Sequence, residues 1–233
     1  MVHKECSLLV CGATFTGLGA AAARARAGET AIVVERTALV GREFIDAINP
    51  GRDYRMPQTD LGRKFRNECL KRNLMEEDGP AHLPGLHPLL CSLIKTDGLN
   101  VRFLTEIVDI AEQNGKFRAL LFDAAGFTTI IADEILDTSS ERLTRPGRLF
   151  TPPGKRLNAY LHCSSEQPSP LPAPIDDAMS LATGRFPSEI ILKLSVPPHA
   201  NWPEARQRLH QYWASRPAEW APWTISVSAG TFE

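Results

Sequence analysis

The first 35 residues constrain the fold of this chain more than any other segment. An apolar run from Ser7 to Cys11 predicts a short buried strand, and a glycine follows it. Gly17 to Ala27 is an alanine-rich helix that ends at Gly28, and Ala31 to Glu35 is a second apolar strand. A strand, a helix and a strand within about 30 residues form a βαβ unit, whose strands are parallel. The segment therefore predicts an α/β fold built on a parallel sheet.

The turn between this first strand and the helix has the spacing of a dinucleotide-binding turn, with one substitution. Such a turn needs G-x-G-x-x-G, and this chain has Gly12, Thr14 and Gly17 at the three positions. An acidic residue about 20 positions further on binds a ribose, and Glu35 ends the second strand. Thr14 either keeps a pyrophosphate away from the backbone or donates its hydroxyl to it. The alternative is a βαβ unit whose glycines serve packing alone.

The rest of the chain divides into a regular part and a proline-rich part. Of 18 prolines, 13 lie between Pro146 and Pro222, and proline interrupts helices and central strands. We therefore expect domains at 1–145 and 146–233, the second being a linker and a partial substrate or interface segment. Periodicity predicts the following elements. The helices are 61–75, 86–95 and 203–213, and the strands are 101–104, 107–110, 117–122, 127–131, 135–137, 189–196 and 224–228.

Charge and cysteine content exclude several classes of partner. The net charge is −1, which gives no general attraction to nucleic acid or to an anionic membrane. The five cysteines are odd in number and scattered, which favours a reducing, cytoplasmic compartment over a disulfide framework or a zinc site. No third ligand accompanies His82 and His87 at metal spacing, so we expect no metal and interpret both as polar loop residues.

These motifs resemble FAD-dependent oxidoreductases of the glutathione-reductase-like superfamily over about the first 140 residues. The resemblance implies a parallel Rossmann-type sheet that binds FAD or NAD(P), a three-stranded β-meander near residues 100–132, and FAD as cofactor. The apolar strand that ends at Asp137 is similar to the family's later turn, in which we expect Asp137 to fix the turn rather than perform chemistry. The resemblance implies that the cofactor is bound by Gly12, Thr14, Phe15, Thr16, Gly17, Glu35, Arg36, Gly41, Arg42, Ile107 and Ser139.

The chain also departs from this family's pattern. Relatives commonly continue for another hundred or more residues and return to the sheet through a Gly-Asp dipeptide, which this sequence lacks. The flavin site would then be completed differently, by a partner chain or second copy, or remain incomplete. Two functions stay open: an FAD-dependent oxidoreductase acting on an unidentified small molecule, and a non-catalytic flavoprotein-like subunit that works by association. An NAD(P)-binding enzyme is a third option, and the sequence assigns no catalytic residue.

Overall fold

The computed structural model describes residues 2–51, 56–140, 144, 154–163 and 171–233. The chain forms two compact units that interleave in sequence. The first unit contains the described parts of Met1–Arg42, Met56–Glu68 and His87–Leu149, and the second contains those of Glu43–Arg55, Cys69–Leu86 and Phe150–Glu233. The expected domain boundary between residues 145 and 146 lies outside the described residues, and the division at that point stays a prediction.

The first unit contains a six-stranded sheet, and one half of that sheet contains the predicted βαβ unit. Strand β1 (Val2–Cys11), helix α1 (Phe15–Arg26) and strand β2 (Ala31–Val34) follow one another, and β2 pairs in parallel with both β1 and β3 (Asn100–Arg102). The sheet order is β3-β2-β1-β6-β5-β4. Residues 101–104, which the sequence placed with the meander, therefore contribute a strand to the parallel part instead.

The other half of this sheet is a three-stranded meander made of β4 (Glu106–Gln113), β5 (Lys116–Asp123) and β6 (Gly126–Asp137). Neighbouring strands in it are antiparallel, while β6 runs parallel to β1. The prediction of two strands at 127–131 and 135–137 is wrong, because β6 is continuous. Strand β1 pairs with β6 from Val2 to Cys11. The polar residues between the two apolar runs therefore remain paired within the sheet.

The six-stranded sheet carries a hydrophobic core cluster of the first unit. The core cluster combines residues from the parallel strands and from the meander, which makes the two halves one packing unit. Its buried members are Cys6, Leu9, Ile32, Val34, Ala119, Leu121, Ile130 and Ala132.

The next two helices are α2 (Asp60–Lys71) and α3 (Leu86–Thr96). Helix α2 ends earlier than the predicted residue 75. Asn73 adopts a positive φ of 58°, and the N–H of Leu74 donates to the carbonyl of Cys69 at 2.8 Å. This left-handed ending closes the helix with a local hydrogen bond. No helix within the described residues is long and apolar enough to cross a membrane.

The second unit contains an antiparallel four-stranded sheet with the order β10-β7-β9-β8. The strands are β7 (Lys155–Cys163), β8 (Met179–Thr183), β9 (Glu189–Val196) and β10 (Trp223–Ser228), and helix α4 (Trp202–Ala214) contacts β7. The sequence predicted β9, α4 and β10 but not β7 or β8. Of the proline-rich stretch 167–174, residues 167–170 lie outside the described residues, and 171–174 form no helix or strand.

Candidate nucleotide-binding turn

Strand β1 leads directly into a turn whose first residue must be glycine. Gly12 has a φ of +98°, a conformation that side chains disfavour. A Cβ atom there would lie 3.2 Å from Thr138 Oγ1 and 3.3 Å from the backbone nitrogen of Ser139. The end of β6 therefore packs against Gly12, and the turn has no room for a side chain.

Gly17 allows helix α1 to approach the strand that precedes it. A Cβ atom on Gly17 would lie 2.5 Å from the carbonyl oxygen of Gly12 and 2.9 Å from Val10 Cγ1. Distances that short do not occur without movement of the backbone. This close helix–strand packing is the role of the third glycine in a dinucleotide-binding turn.

Thr14 is the N-cap residue of α1, and this role explains why threonine is tolerated in place of glycine. Its Oγ1 accepts a hydrogen bond from the N–H of Gly17 at 3.0 Å and donates to Thr138 Oγ1 at 2.7 Å. Threonine is a favoured N-cap residue because its hydroxyl pairs one of the N–H groups that a helix leaves unpaired. The exposed Thr16 belongs to the same first turn, where the helix dipole favours anions.

Glu35 lies just after β2 and connects that strand to the turn. The N–H of Ala13 donates to its Oε2 at 3.1 Å, while the N–H and Oγ1 of Thr37 donate to its Oε1 at 2.9 and 2.8 Å. The residue is only 5% exposed. These three hydrogen bonds give the carboxylate a structural role in the turn, and its expected role in binding a ribose stays a prediction.

Two arginines lie near this acid. Arg36 is exposed, whereas Arg42 is half-buried with its Nη1 at 4.0 Å from Glu35 Oε1. The loop between them returns to the turn, since the N–H of Gly41 donates to the carbonyl of Ala13 at 2.8 Å. His87, predicted to be a polar loop residue, lies in α3 instead and its Nδ1 accepts from the N–H of Val40 at 3.3 Å.

Ile107 lies at the start of β4, where its side chain packs against the core cluster. The preceding segment runs beside the acid, because the N–H of Thr105 donates to the carbonyl of Glu35 at 3.1 Å. The start of β4 therefore lies close to Glu35, the residue expected to bind the ribose.

Ser139 belongs to a turn that Asp137 organises. Asp137 Oδ1 accepts from the N–H and Oγ of Ser139 at 3.0 and 2.6 Å, and Oδ2 accepts from the N–H and Oγ1 of Thr144, both at 2.8 Å. Burial opposes ionisation of this carboxyl, but these hydrogen bonds outweigh it and lower the pKa of Asp137. The carboxylate fixes this turn, as the sequence predicted.

All the implied cofactor-binding residues thus belong to the first unit. The turn brings Gly12, Thr14 and Gly17 together at the start of α1, with Glu35 bonded to Ala13 between them. Phe15 packs edge-on against Phe65 with ring centres 5.0 Å apart. Within the described residues, no group of three or more His, Cys, Asp or Glu could hold a metal ion.

Sequence reasoning missed one polar cluster in the second unit. His82 lies in a loop, as predicted, and its Nδ1 lies 2.9 Å from Glu189 Oε1 and 3.5 Å from the hydroxyl of Tyr160. Burial, together with the hydrogen bond and charge of Glu189, raises the pKa of Tyr160. No spacing in the sequence indicates this cluster, because its members lie far apart along the chain.

Solved structures share this fold. A geranylgeranyl bacteriochlorophyll reductase-like protein (Ta0516) from Thermoplasma acidophilum aligns with a TM-score of 0.68 at 12% identity, over 99% of this chain and 66% of its own. p-Nitrophenol 4-monooxygenase PnpA from Pseudomonas putida DLL-E4 gives 0.60 at 12% identity, over 100% and 67%. The flavin-dependent monooxygenase PieE, solved with FAD and substrate, gives 0.56 at 16%, over 98% and 49%.

These similarities establish the fold alone, which is a Rossmann-like α/β fold with a second, antiparallel sheet. The chain spans between half and two thirds of the length of these three proteins. No protein-family model matches the sequence, and no curated protein matches it.

Proposed function

We propose that this chain binds the adenosine diphosphate half of FAD at the β1–α1 turn and belongs to an FAD-dependent oxidoreductase of the glutathione-reductase-like superfamily. The observation that carries the proposal is the hydrogen bond from Ala13 to Glu35, which holds the acid beside the first turn of α1. The fold similarity to flavin-dependent monooxygenases supports it. The substrate would be a small molecule, with the redox chemistry supplied by the flavin.

Several features of the turn favour binding of a pyrophosphate, whereas Thr14 opposes it. The start of helix α1 offers the positive end of the helix dipole, and Thr16 there is exposed. Arg36 would add positive charge beside the adenosine, and Arg42 would add it in the loop expected to reach the pyrophosphate. Glu35 has about four acceptor positions, of which the chain uses three, so one position remains for a ribose hydroxyl. Thr14 opposes binding, because its hydroxyl already pairs the N–H of Gly17.

The chain's own residues would then bind and orient the cofactor. The first turn of α1 would hold the phosphates, Glu35 would accept from the ribose, and the backbone of Ile107 would meet the adenine edge. Gly41 and Ser139 would line the two loops on either side of the turn. Since the Gly-Asp dipeptide is missing, a partner chain or a second copy would complete the flavin end.

Titration calorimetry of the purified chain with FAD, ADP and FMN tests the proposal. FAD and ADP should bind, because both carry the adenosine diphosphate group, whereas FMN should not. Thr14→Gly should tighten FAD binding by freeing the N–H of Gly17, and Glu29→Ala, which removes an exposed acid beyond the C-terminal end of α1, is the control. A folded chain that binds neither FAD nor ADP would overturn the proposal and favour the non-catalytic, flavoprotein-like subunit.

A further inference from the structure

The second unit contains a buried lysine in the middle of its sheet. Lys193 lies on β9 between β7 and β8 and is only 4% exposed. Its Nζ donates to Asn49 Oδ1 at 3.1 Å and to Glu233 Oε2 at 2.8 Å. Lysine is almost never buried to this extent unless its charge is paired. The surroundings of Lys193 are therefore built to hold an anion.

Asn158 completes the donor set from the neighbouring strand. It is directly opposite Lys193 in the β7–β9 pairing and is fully buried. Its Nδ2 donates to the same Glu233 oxygen at 2.7 Å and to the carbonyl of Ala47 at 2.9 Å. Arg156, two residues earlier on β7, places Nη1 at 3.3 Å from the other carboxylate oxygen. Two adjacent strands thus aim three donor groups at one carboxylate.

The carboxylate belongs to Glu233, which lies in an irregular segment, residues 229–233. Backbone hydrogen bonds hold it, from Gly230 to the carbonyl of Asp46 at 2.8 Å and between Glu233 and Arg156 in both directions at 3.0 Å. The side chain of Glu233 is 19% exposed, against 5% for Lys193. Lys193 and Asn158 are therefore buried within the sheet, whereas the side chain of Arg156 is 38% exposed and Glu233 lies on a segment outside the sheet.

From this arrangement we infer that Lys193, Asn158 and Arg156 form a carboxylate-binding site, which Glu233 fills as an internal ligand in competition with external carboxylic acids. The ion pair between Lys193 and Glu233 is a charge-assisted hydrogen bond, and Lys193 and Asn158 are buried side by side on adjacent strands. This arrangement favours a planar anion with two acceptor oxygens. The inference concerns the second unit alone and does not depend on flavin binding. Burial opposes ionisation of Glu233, but the hydrogen bonds from Lys193 and Asn158 lower its pKa.

Acetate is the probe, titrated against chloride at equal ionic strength. Glu233→Ala opens the site, so acetate should raise its Tm saturably by about 2–4 °C or more and shift the side-chain amide signals of Asn158 in NMR spectra. Wild-type protein should bind acetate at least tenfold more weakly, with Glu233→Gln between the two, because Glu233 competes. Asp109→Ala, which removes the acid of an exposed ion pair with Arg118, controls for general salt effects.

Lys193→Met in the Glu233→Ala background should abolish the acetate response. The inference is overturned by equal responses in wild type and Glu233→Ala, or by a response that survives Lys193→Met. If Glu233→Ala does not fold in chloride, refolding in acetate should restore it, because acetate supplies the missing anion. Failure of acetate to do so would equally overturn the inference.

Discussion

The N–H of Ala13 donates to Glu35 Oε2 at 3.1 Å, across 22 residues of sequence. This hydrogen bond connects the loop after β1 to the end of β2, the neighbouring parallel strand. Glu35 therefore has a structural role as well as its proposed role in binding a ribose. We expect a substitution at this position to change folding as well as the proposed cofactor binding, so experiments must measure the two separately.

Glu35→Ala should lower the free energy of unfolding by about 1–3 kcal/mol, because it leaves buried donors of Ala13 and Thr37 without an acceptor. Urea denaturation at pH 7 measures the change. Glu29→Ala, at an exposed acid of the same unit, should change stability by less than about 0.5 kcal/mol. Equal stability of Glu35→Ala and wild type would show that these hydrogen bonds contribute nothing to folding.

Thr14→Ala should cost about 1 kcal/mol of stability, the usual loss when an N-cap hydroxyl is removed. Thr14→Ser retains an oxygen that can accept from Gly17 and should remain close to wild type. Thermal unfolding followed by circular dichroism compares the three proteins. If Thr14→Ser is as unstable as Thr14→Ala, the contribution of Thr14 lies in its methyl group and not in the cap.

Two glycines in the same helix should respond in opposite ways to alanine. Gly17→Ala should destabilise the chain, because its Cβ atom would lie 2.5 Å from the carbonyl oxygen of Gly12. Gly19→Ala should stabilise it by about 0.5–1 kcal/mol, since outside the neighbouring helix backbone no described atom lies within 4 Å of the added Cβ and helix propensity rises. Chemical denaturation of both variants provides the comparison. Similar midpoints for the two would contradict the close approach of α1 to the turn.

Asp137 should make the stability of the first unit depend on pH in the acidic range. Its pKa is lowered in the folded chain by the hydrogen bonds from Ser139 and Thr144, which outweigh burial. A lowered carboxyl pKa stabilises the fold above the unfolded value near 4, and this contribution is lost as the pH falls through the folded pKa. Asp137→Asn should therefore be less stable than wild type at pH 6, and the difference should shrink towards pH 3.

Denaturant titrations at pH 6, 5, 4 and 3 measure that difference. Asp123→Asn, at the β5–β6 turn, is the control because within the described residues that carboxylate accepts only the N–H of Ala125. A constant difference between Asp137→Asn and wild type across this range would mean that ionisation of Asp137 does not stabilise the turn.

Much of the first unit follows from local sequence. The apolar run before Gly12 and the alanine-rich helix after Gly17 fix their own conformations, so α1 and β2 lie within two residues of their predicted bounds. Strand β1 ends where predicted but begins at Val2, five residues earlier. The length of β6 was not predictable in this way. Its polar middle interrupts the apolar pattern, and the strand is continuous only because β1 pairs along its whole length.

Strand β7 of the second unit was not predicted, because its stability also depends on contacts with residues that are distant in the sequence. Strand β7 contains the buried Asn158, a residue that sequence patterns assign to turns. Its amide is satisfied in part by Ala47 and Glu233, which lie 111 and 75 residues away along the chain. No window of sequence contains those partners, so no periodicity indicates that Asn158 can be buried in a strand.

The sequence by itself determined the βαβ unit, its glycine turn and the acid that follows, because backbone conformation and hydrophobic periodicity are local properties. Only the tertiary structure decided what those side chains contact. Thr14 caps the helix and Glu35 accepts the N–H of Ala13 because the folded chain brings these groups within hydrogen-bonding distance. Likewise, Lys193 is tolerated within the sheet only because folding places Glu233 beside it, since a buried charge requires a partner that local sequence cannot specify.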